Sequence, residues 1–350
     1  MTRHLRLLAH GIDYTPHSAA EGSRASALVD WLAARGHCLS VVSTSRDNGR
    51  RRSWGAAKET LIAAAHSFRP DLIAALTPSA SSATAVIGAA RAAGVPAWLH
   101  LEEAAPPLGV EGDFTCVSFA ALDAEEQLAR RGVAEREALP LAPWVDTRAI
   151  APPDAPGPLR AAFTRAADDI VALYVGSCAD ERVARILIEA ARAVPTRGAV
   201  LFVAAVKGPA ARLLAAAQAE LPRLRLLRLP LPNELGDLLG AADIHLLPMK
   251  ADADEPLLPA RLASLLASGR PIVASLPATG LPRGLGHAVV MSPPTGPAFA
   301  AAIVDLAARP AERLSRGLAA RRAAEDYFAK ERVLRRLERR LVALAERRAA

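Results

Sequence analysis

The sequence predicts an α/β protein of two Rossmann-like, doubly wound parallel-sheet domains. Three observations carry this. Short apolar runs of strand length alternate with longer stretches of helical periodicity along most of the chain. The rhythm runs twice, on either side of Pro152–Pro158 (PPDAPGP), the clearest linker in the sequence. The length of 350 residues is comfortable for two domains of about 150–200 each.

The first half opens with a strand at Leu5–Ala9 and a loop from Gly11 to Arg24 that holds Pro16, His17, Gly22 and Ser23. Leu28, Val29 and Leu32 share one face of a helix over Ala25–Arg35, Gly36 stops it, and Leu39–Val42 is the next strand. Asp47–Ser53 reads as a basic turn, followed by a helix to Ser67. Strand Leu72–Leu76, helix Ala83–Ala93 and strand Val95–Leu101 follow, then a strand over Phe114–Val117 and a helix over Ala121–Arg131. In the second half, strands are expected at Val171–Val175, Val200–Ala204, Leu224–Leu229, Ile244–Leu247, Ile272–Ala274 and Ala288–Met291. A helix is expected at Ala298–Ala308, and Arg313–Ala345 reads as a helical, amphipathic tail. The expected boundaries are thus 1–150, a linker 151–158, a second domain 159–308 and basic C-terminal helices over 309–350.

Ala242–Ser275 organises the second domain. A buried-strand run, Ile244–Pro248, leads into the acidic loop Lys250–Glu255. Pro259 then opens a helix, where its fixed φ and missing N–H do no harm, and Gly269 ends it before Arg270-Pro271 and the next strand. A helix start at the carboxyl end of a parallel sheet suits a phosphate or another anion.

Composition narrows the class. The chain is 51% hydrophobic and 23% charged, which is globular, and 4% aromatic, so the core should be Leu, Val, Ile and Ala. No apolar run approaches the ~18–20 residues of a membrane-spanning helix, and Met1–His17 lacks the apolar length of a signal peptide. Cys38, Cys116 and Cys178 are far apart, so no metal site or disulfide framework is expected and a cytoplasmic location fits. The net charge of +7 is concentrated from Arg309 onward, with 13 Lys+Arg against 6 Asp+Glu, and the rest of the chain is neutral. That tail is either a solvated helix face or a contact for an anionic membrane; nucleic acid is not expected, because no binding motif or aromatic interleaving accompanies the charge. GxGxxG, GxxxxGK[ST] and GxSxG patterns are absent, and Asp252, Asp254 and Glu255 lack calcium-loop spacing.

Several motifs fall in step with one family. Ala241-Ala242-Asp243, Leu246-Leu247-Pro248, Pro259, Leu262, Leu266–Gly269 and Arg270–Ala274 resemble the nucleotide-sugar region of retaining, family-4 glycosyltransferases of the GT-B fold, especially the colanic acid biosynthesis type. Leu28–Thr44 and Leu139–Arg148 (LPLAPWVDTR) resemble the same family, the latter following the last strand of its first domain, with Ala142 where Asn is usual. The resemblance implies two domains with a cleft between them and a last helix that crosses back to the first. It implies metal-independent transfer, with no cofactor, of a sugar from a nucleotide-diphosphate sugar to a lipid-linked or polysaccharide acceptor at the inner face of the membrane.

The resemblance also implies site residues. His100, at the end of a strand, matches a histidine placed near the anomeric centre, although a lone histidine is as readily structural; Glu102 follows it at the same edge. Gly22 matches an acceptor-loop glycine or is an ordinary loop glycine, with Ser23 beside it. Gly176 fits the glycine turn after the second domain's first strand. There Ser177 replaces a common Arg or Asn, and Glu181 stands at the expected Lys, leaving Arg182 to supply charge. Arg261 keeps the cation of the Ser-Lys helix start and is the first choice for a phosphate contact. Lys207 either reaches the nucleotide or is a surface lysine. Of the Glu-x7-Glu pair, Pro256 beside Glu255 holds the first position and Ser264 the second. These departures motivate a rival from another class, a catalytically degenerate GT-B protein acting as a binding or partner subunit. An epimerase would want more acid and base residues than can be placed.

Overall fold

The computed structural model describes residues 4–10, 24–42, 54–76, 79–102, 107–121, 124–155, 157–164, 166, 168–177, 181–195, 200–249, 261–275, 281 and 284–349. The chain divides into two compact units, Met1–Pro143 with Glu331–Ala350, and Trp144–Lys330.

The first unit runs β1 (Arg6–His10), α1 (Arg24–Ala34), β2 (Cys38–Val42), α2 (Trp54–Phe68), β3 (Leu72–Leu76), α3 (Ala80–Ala93), β4 (Ala97–Glu102), β5 (Cys116–Ala120), α4 (Ala124–Arg130) and β6 (Ala138–Leu141). Its sheet is parallel, in the order β2-β1-β3-β4-β5-β6. Every residue of β3 and β5 is buried, as expected of parallel strands covered on both faces. Ser79 caps α3 by accepting from the Ser82 amide, and Gly94, at φ 60°, ends it.

The second unit runs α5 (Pro158–Phe163), β7 (Ile170–Ser177), α6 (Glu181–Ala193), β8 (Val200–Lys207), α7 (Ala211–Glu220), β9 (Leu224–Leu227), α8 (Leu235–Gly240), β10 (Ile244–Leu247), α9 (Arg261–Ala267), β11 (Ile272–Ala274), β12 (Val289–Met291), α10 (Gly296–Ala307) and α11 (Pro310–Ala323). Its parallel sheet has the order β12-β11-β10-β7-β8-β9, so the winding reverses between β7 and β10. Tyr174, Phe202, Leu214 and Phe299 are buried in its core. The final helix, α12 (Lys330–Ala349), is assigned with the first unit from Glu331 onward.

Three expectations are corrected. The proline-dense stretch 151–158 lies inside the second unit, where Pro152 meets Gly269 and Pro153 meets Gly240. Leu139–Arg148 does not follow the last strand of the first unit but contains most of it, since β6 pairs with β5 from Ala138 to Leu141. The strand expected at Phe114–Val117 begins at Cys116. Phe114 belongs to the preceding turn, where the buried Glu111 carboxylate accepts from the Leu108 and Val110 amides and pairs with Arg131 at 3.3 Å. Burial alone would raise the Glu111 carboxyl, but these donors outweigh it and hold it below its ordinary value.

The tail consists of two helices, α11 and α12, with a break between them. After α11 comes a π-helical turn, Ala324–Phe328, and then Ala329 leaves helical geometry. Val145 donates its N–H to Phe328 O, and Lys330 donates to Val145 O, so the break is satisfied as a parallel bridge. Several tail cations are also engaged. Arg313 donates to Leu306 O and Ala307 O, Arg316 to His287 O, and Arg321 to Thr147 O, Ile150 O and Ala267 O. Among the described residues no helix is long and apolar enough to cross a membrane.

Candidate functional site

In an open α/β sheet, ligands bind outside the carboxyl ends of the strands where the winding reverses. In the second unit that point lies at the ends of β7 and β10, where two of the anticipated residues, Gly176 and Arg261, meet, with Lys207 on the neighbouring strand. Gly176 sits near the end of β7 with φ 154°, a conformation that favours glycine. Lys207 ends β8 in register with Ser177 and is exposed. Arg261 begins α9, and its side chain extends to β7. Its Nη1 donates to Tyr174 Oη at 3.3 Å, and its guanidinium carbon is 5.3 Å from the Tyr174 ring centroid. A Cβ added to Gly176 would lie 2.5 Å from Arg261 Nη1, so the glycine makes room for the guanidinium.

Arg261 has no carboxylate partner among the described residues, and its Nε is buried without a hydrogen-bond partner. Other arginines of this unit are matched: Arg160 with Asp243 at 2.8 Å, Arg185 with Glu181 at 3.1 Å, and Arg192 with Glu220 at 3.2 Å. Thus Glu181, which replaces an expected lysine, is exposed and turned to Arg185 one helical turn on. Arg182 is exposed in the same first turn of α6, and Ser264 lies half-buried one turn into α9.

The remaining motif residues hold the scaffold. Asp243 accepts from the Val171 amide at 2.8 Å and pairs with Arg160 at the opposite edge of the sheet. Ser268 donates to Leu265 O, so its hydroxyl oxygen accepts from His245 Nε2 at 2.8 Å. His245 is buried, and burial together with the positive charge of Arg270 pushes its pKa down to about 3. Gly269, at φ 68°, ends α9, and Arg270 donates to Gly240 O.

In the first unit the winding reverses between β1 and β3. His100, on β4, is fully buried, with Nδ1 2.8 Å from Ser118 Oγ, an oxygen that also accepts from Trp98 Nε1. Glu102 ends β4 at the same edge. Gly22, Ser23, Glu255 and Pro259 lie outside the described residues, as do the loop 11–23, the basic turn and the acidic loop.

Sequence reasoning missed two residues. Tyr174 was legible only as part of a strand. His10 ends β1 beside the first unit's reversal; it is buried and donates from Nδ1 to Val42 O, which leaves Nε2 as an unpartnered acceptor. Burial lowers its pKa against the opposing effect of that carbonyl. A histidine closing an otherwise apolar strand was the available signal.

No protein-family model and no curated protein matches the chain. Solved structures do. Anabaena HepE, in complex with UDP and glucose, has a TM-score of 0.72 at 15% identity, covering 97% of this chain and all of HepE. A glycosyltransferase from Rickettsia africae has a TM-score of 0.75 at 10% identity, covering 97% and 98%. Sucrose-phosphate synthase from Thermosynechococcus elongatus has a TM-score of 0.73 at 18% identity, covering 97% and 100%. These neighbours are GT-B glycosyltransferases, and the two six-stranded parallel sheets with interleaved helices are the GT-B fold.

Proposed function

We propose that this chain is a glycosyltransferase that takes a nucleotide-diphosphate sugar at the β7–β10 edge of its second unit. The observation that carries the reading is the Arg261 guanidinium, which has no carboxylate partner among the described residues and lies against Gly176 and Tyr174. A departing diphosphate needs a cation and a close backbone approach, and Arg261 and Gly176 offer both. Binding of UDP and glucose by HepE supports the ligand class. In the reaction, the bond from the anomeric carbon to the diphosphate oxygen breaks, an acceptor oxygen replaces it, and the acceptor proton leaves with the diphosphate. We propose that the transfer retains configuration and is independent of metal, as the family-4 resemblance implies, with His100 near the sugar and a lipid-linked or polysaccharide acceptor. The test is calorimetry with UDP, GDP and their common sugars, with Arg261→Ala alongside. One nucleotide should bind and stabilise the fold by about 2.7 kcal/mol at a hundredfold excess over Kd, and Arg261→Ala should weaken that binding at least tenfold. No binding of any of them would sink the reading.

Glu181, an acid where the family carries a cation, favours a second reading, a binding or partner subunit without turnover. Nucleotide binding with no release of sugar to any acceptor or to water would select it.

For the acceptor side we propose peripheral contact with an anionic membrane at its cytoplasmic face. Arg332, Arg335, Arg336 and Arg339 are exposed on one face of α12 and support this. The protein should partition onto anionic vesicles at low salt, and glutamine at these four positions should abolish that; unchanged partitioning would refute it.

A further inference from the structure

Neither Ser177, the last residue of β7, nor Glu181, the first of α6, is a cation, yet a guanidinium supplied from α9 lies against Gly176. We infer that Tyr174 is the positioning residue that holds Arg261 against Gly176 at the end of β7, so that one side chain delivered from α9 takes the place of the missing cation for a diphosphate. This rests on the proposed reading of the site.

Three features of Tyr174 fit the role. It is two residues before Gly176 on β7, so its side chain and the Gly176 Cα lie on the same face of the sheet. It is 1% exposed in the second unit's core, which fixes its ring. It engages Arg261 twice, through the ring face at 5.3 Å and through Oη at 3.3 Å. A long arginine otherwise loses rotamer freedom when it closes on a ligand, and holding it in place beforehand removes part of that loss. Tyr174 also occupies one Nη1 hydrogen and leaves other donors of the guanidinium for an anion.

The experiment is a double-mutant cycle on the full chain, with Tyr174→Phe, Arg261→Ala and both together. UDP and inorganic pyrophosphate are the probes, read by calorimetry at two salt concentrations. Tyr174→Phe keeps the ring and the core volume, and circular dichroism with thermal unfolding checks that each variant folds. Tyr174→Phe should weaken both probes about threefold to tenfold, and should have no further effect in the Arg261→Ala background. A structural effect of the hydroxyl would be the same in both backgrounds. If Arg261→Ala weakens binding while Tyr174→Phe changes nothing, or changes both backgrounds equally, the positioning role is overturned and the proposed donor site stands. If neither probe binds the unaltered protein, the donor-site reading falls and this inference with it.

Discussion

His37 and Glu338, 301 residues apart in sequence, meet inside the first unit, with Nε2 of the imidazole 3.0 Å from the Glu338 carboxylate. The Leu5 amide donates to Nδ1, so the imidazole proton is on Nε2 and is given to Glu338. One histidine thereby ties the start of β1, the turn before β2 and the final helix together. Both side chains are buried, and Arg35 adds a second, longer contact to the carboxylate at 3.4 Å. Glu338→Leu leaves the Nε2–H without an acceptor and should destabilise the first unit by about 1–3 kcal/mol. Glu338→Gln, which still accepts through its amide oxygen, should recover most of the loss. Urea unfolding of the two variants checks this, and equal losses would refute the hydrogen-bond account.

Arg321 plays the equivalent part in the second unit. Its two terminal nitrogens reach three backbone carbonyls, at Thr147, Ile150 and Ala267, while Nε meets Glu325 at 2.7 Å. A lysine has one nitrogen and cannot span those sites. Arg321→Lys should therefore cost about 2–3 kcal/mol in chemical denaturation, although the charge is kept. A cost close to zero would show that the net charge, and not the fork, is what matters there.

Buried histidine makes stability depend on pH. His245 has its folded pKa lowered to about 3, whereas the unfolded chain titrates near the ordinary value of about 6.5. Between these values the unfolded state binds the extra proton, so stability is complete above about pH 6.5 and falls as pH drops toward 3. At pH 5 the loss from this group is about 2 kcal/mol. His10 is lowered as well and pulls in the same direction. His245→Gln should flatten the dependence of the urea midpoint between pH 7 and 5. An unchanged slope would show that other groups set it.

Much of the frame was legible because local signals and tertiary outcome agree. β3, β10 and β11 fall on the expected residues, since each is an apolar run bounded by a proline, a glycine or an acid, and each is buried along its length. β6 was hidden by Pro140, which a sheet tolerates here because β6 is an edge strand. The break at Ala329 has no glycine or proline to announce it and is fixed by Val145, far away in sequence. At the site, Arg261 was readable from the motif around it. Its partner was not, because a tyrosine inside an apolar strand looks like core until the helix that lies against it is known. The pairing of Glu181 with Arg185, four residues on, was legible from helical spacing alone.

Gly176 offers the sharpest test of how the guanidinium and the turn fit together. Its φ of 154° favours glycine, and a methyl group placed there meets Arg261 Nη1 at 2.5 Å and Tyr174 Oη at 3.6 Å. The tyrosine distance is ordinary contact, so the arginine is the group that has to move. Gly176→Ala should thus cost about 1–3 kcal/mol of stability through backbone strain, and should also dislodge Arg261 and weaken UDP binding at least tenfold. Strain and displacement separate in the double variant. With Arg261→Ala already in place the clash is gone, so the alanine should cost less stability than it does alone and should take nothing further from nucleotide affinity. If Gly176→Ala weakens UDP equally in both backgrounds, the glycine is needed for the backbone's own approach to the phosphates and not to make room for Arg261.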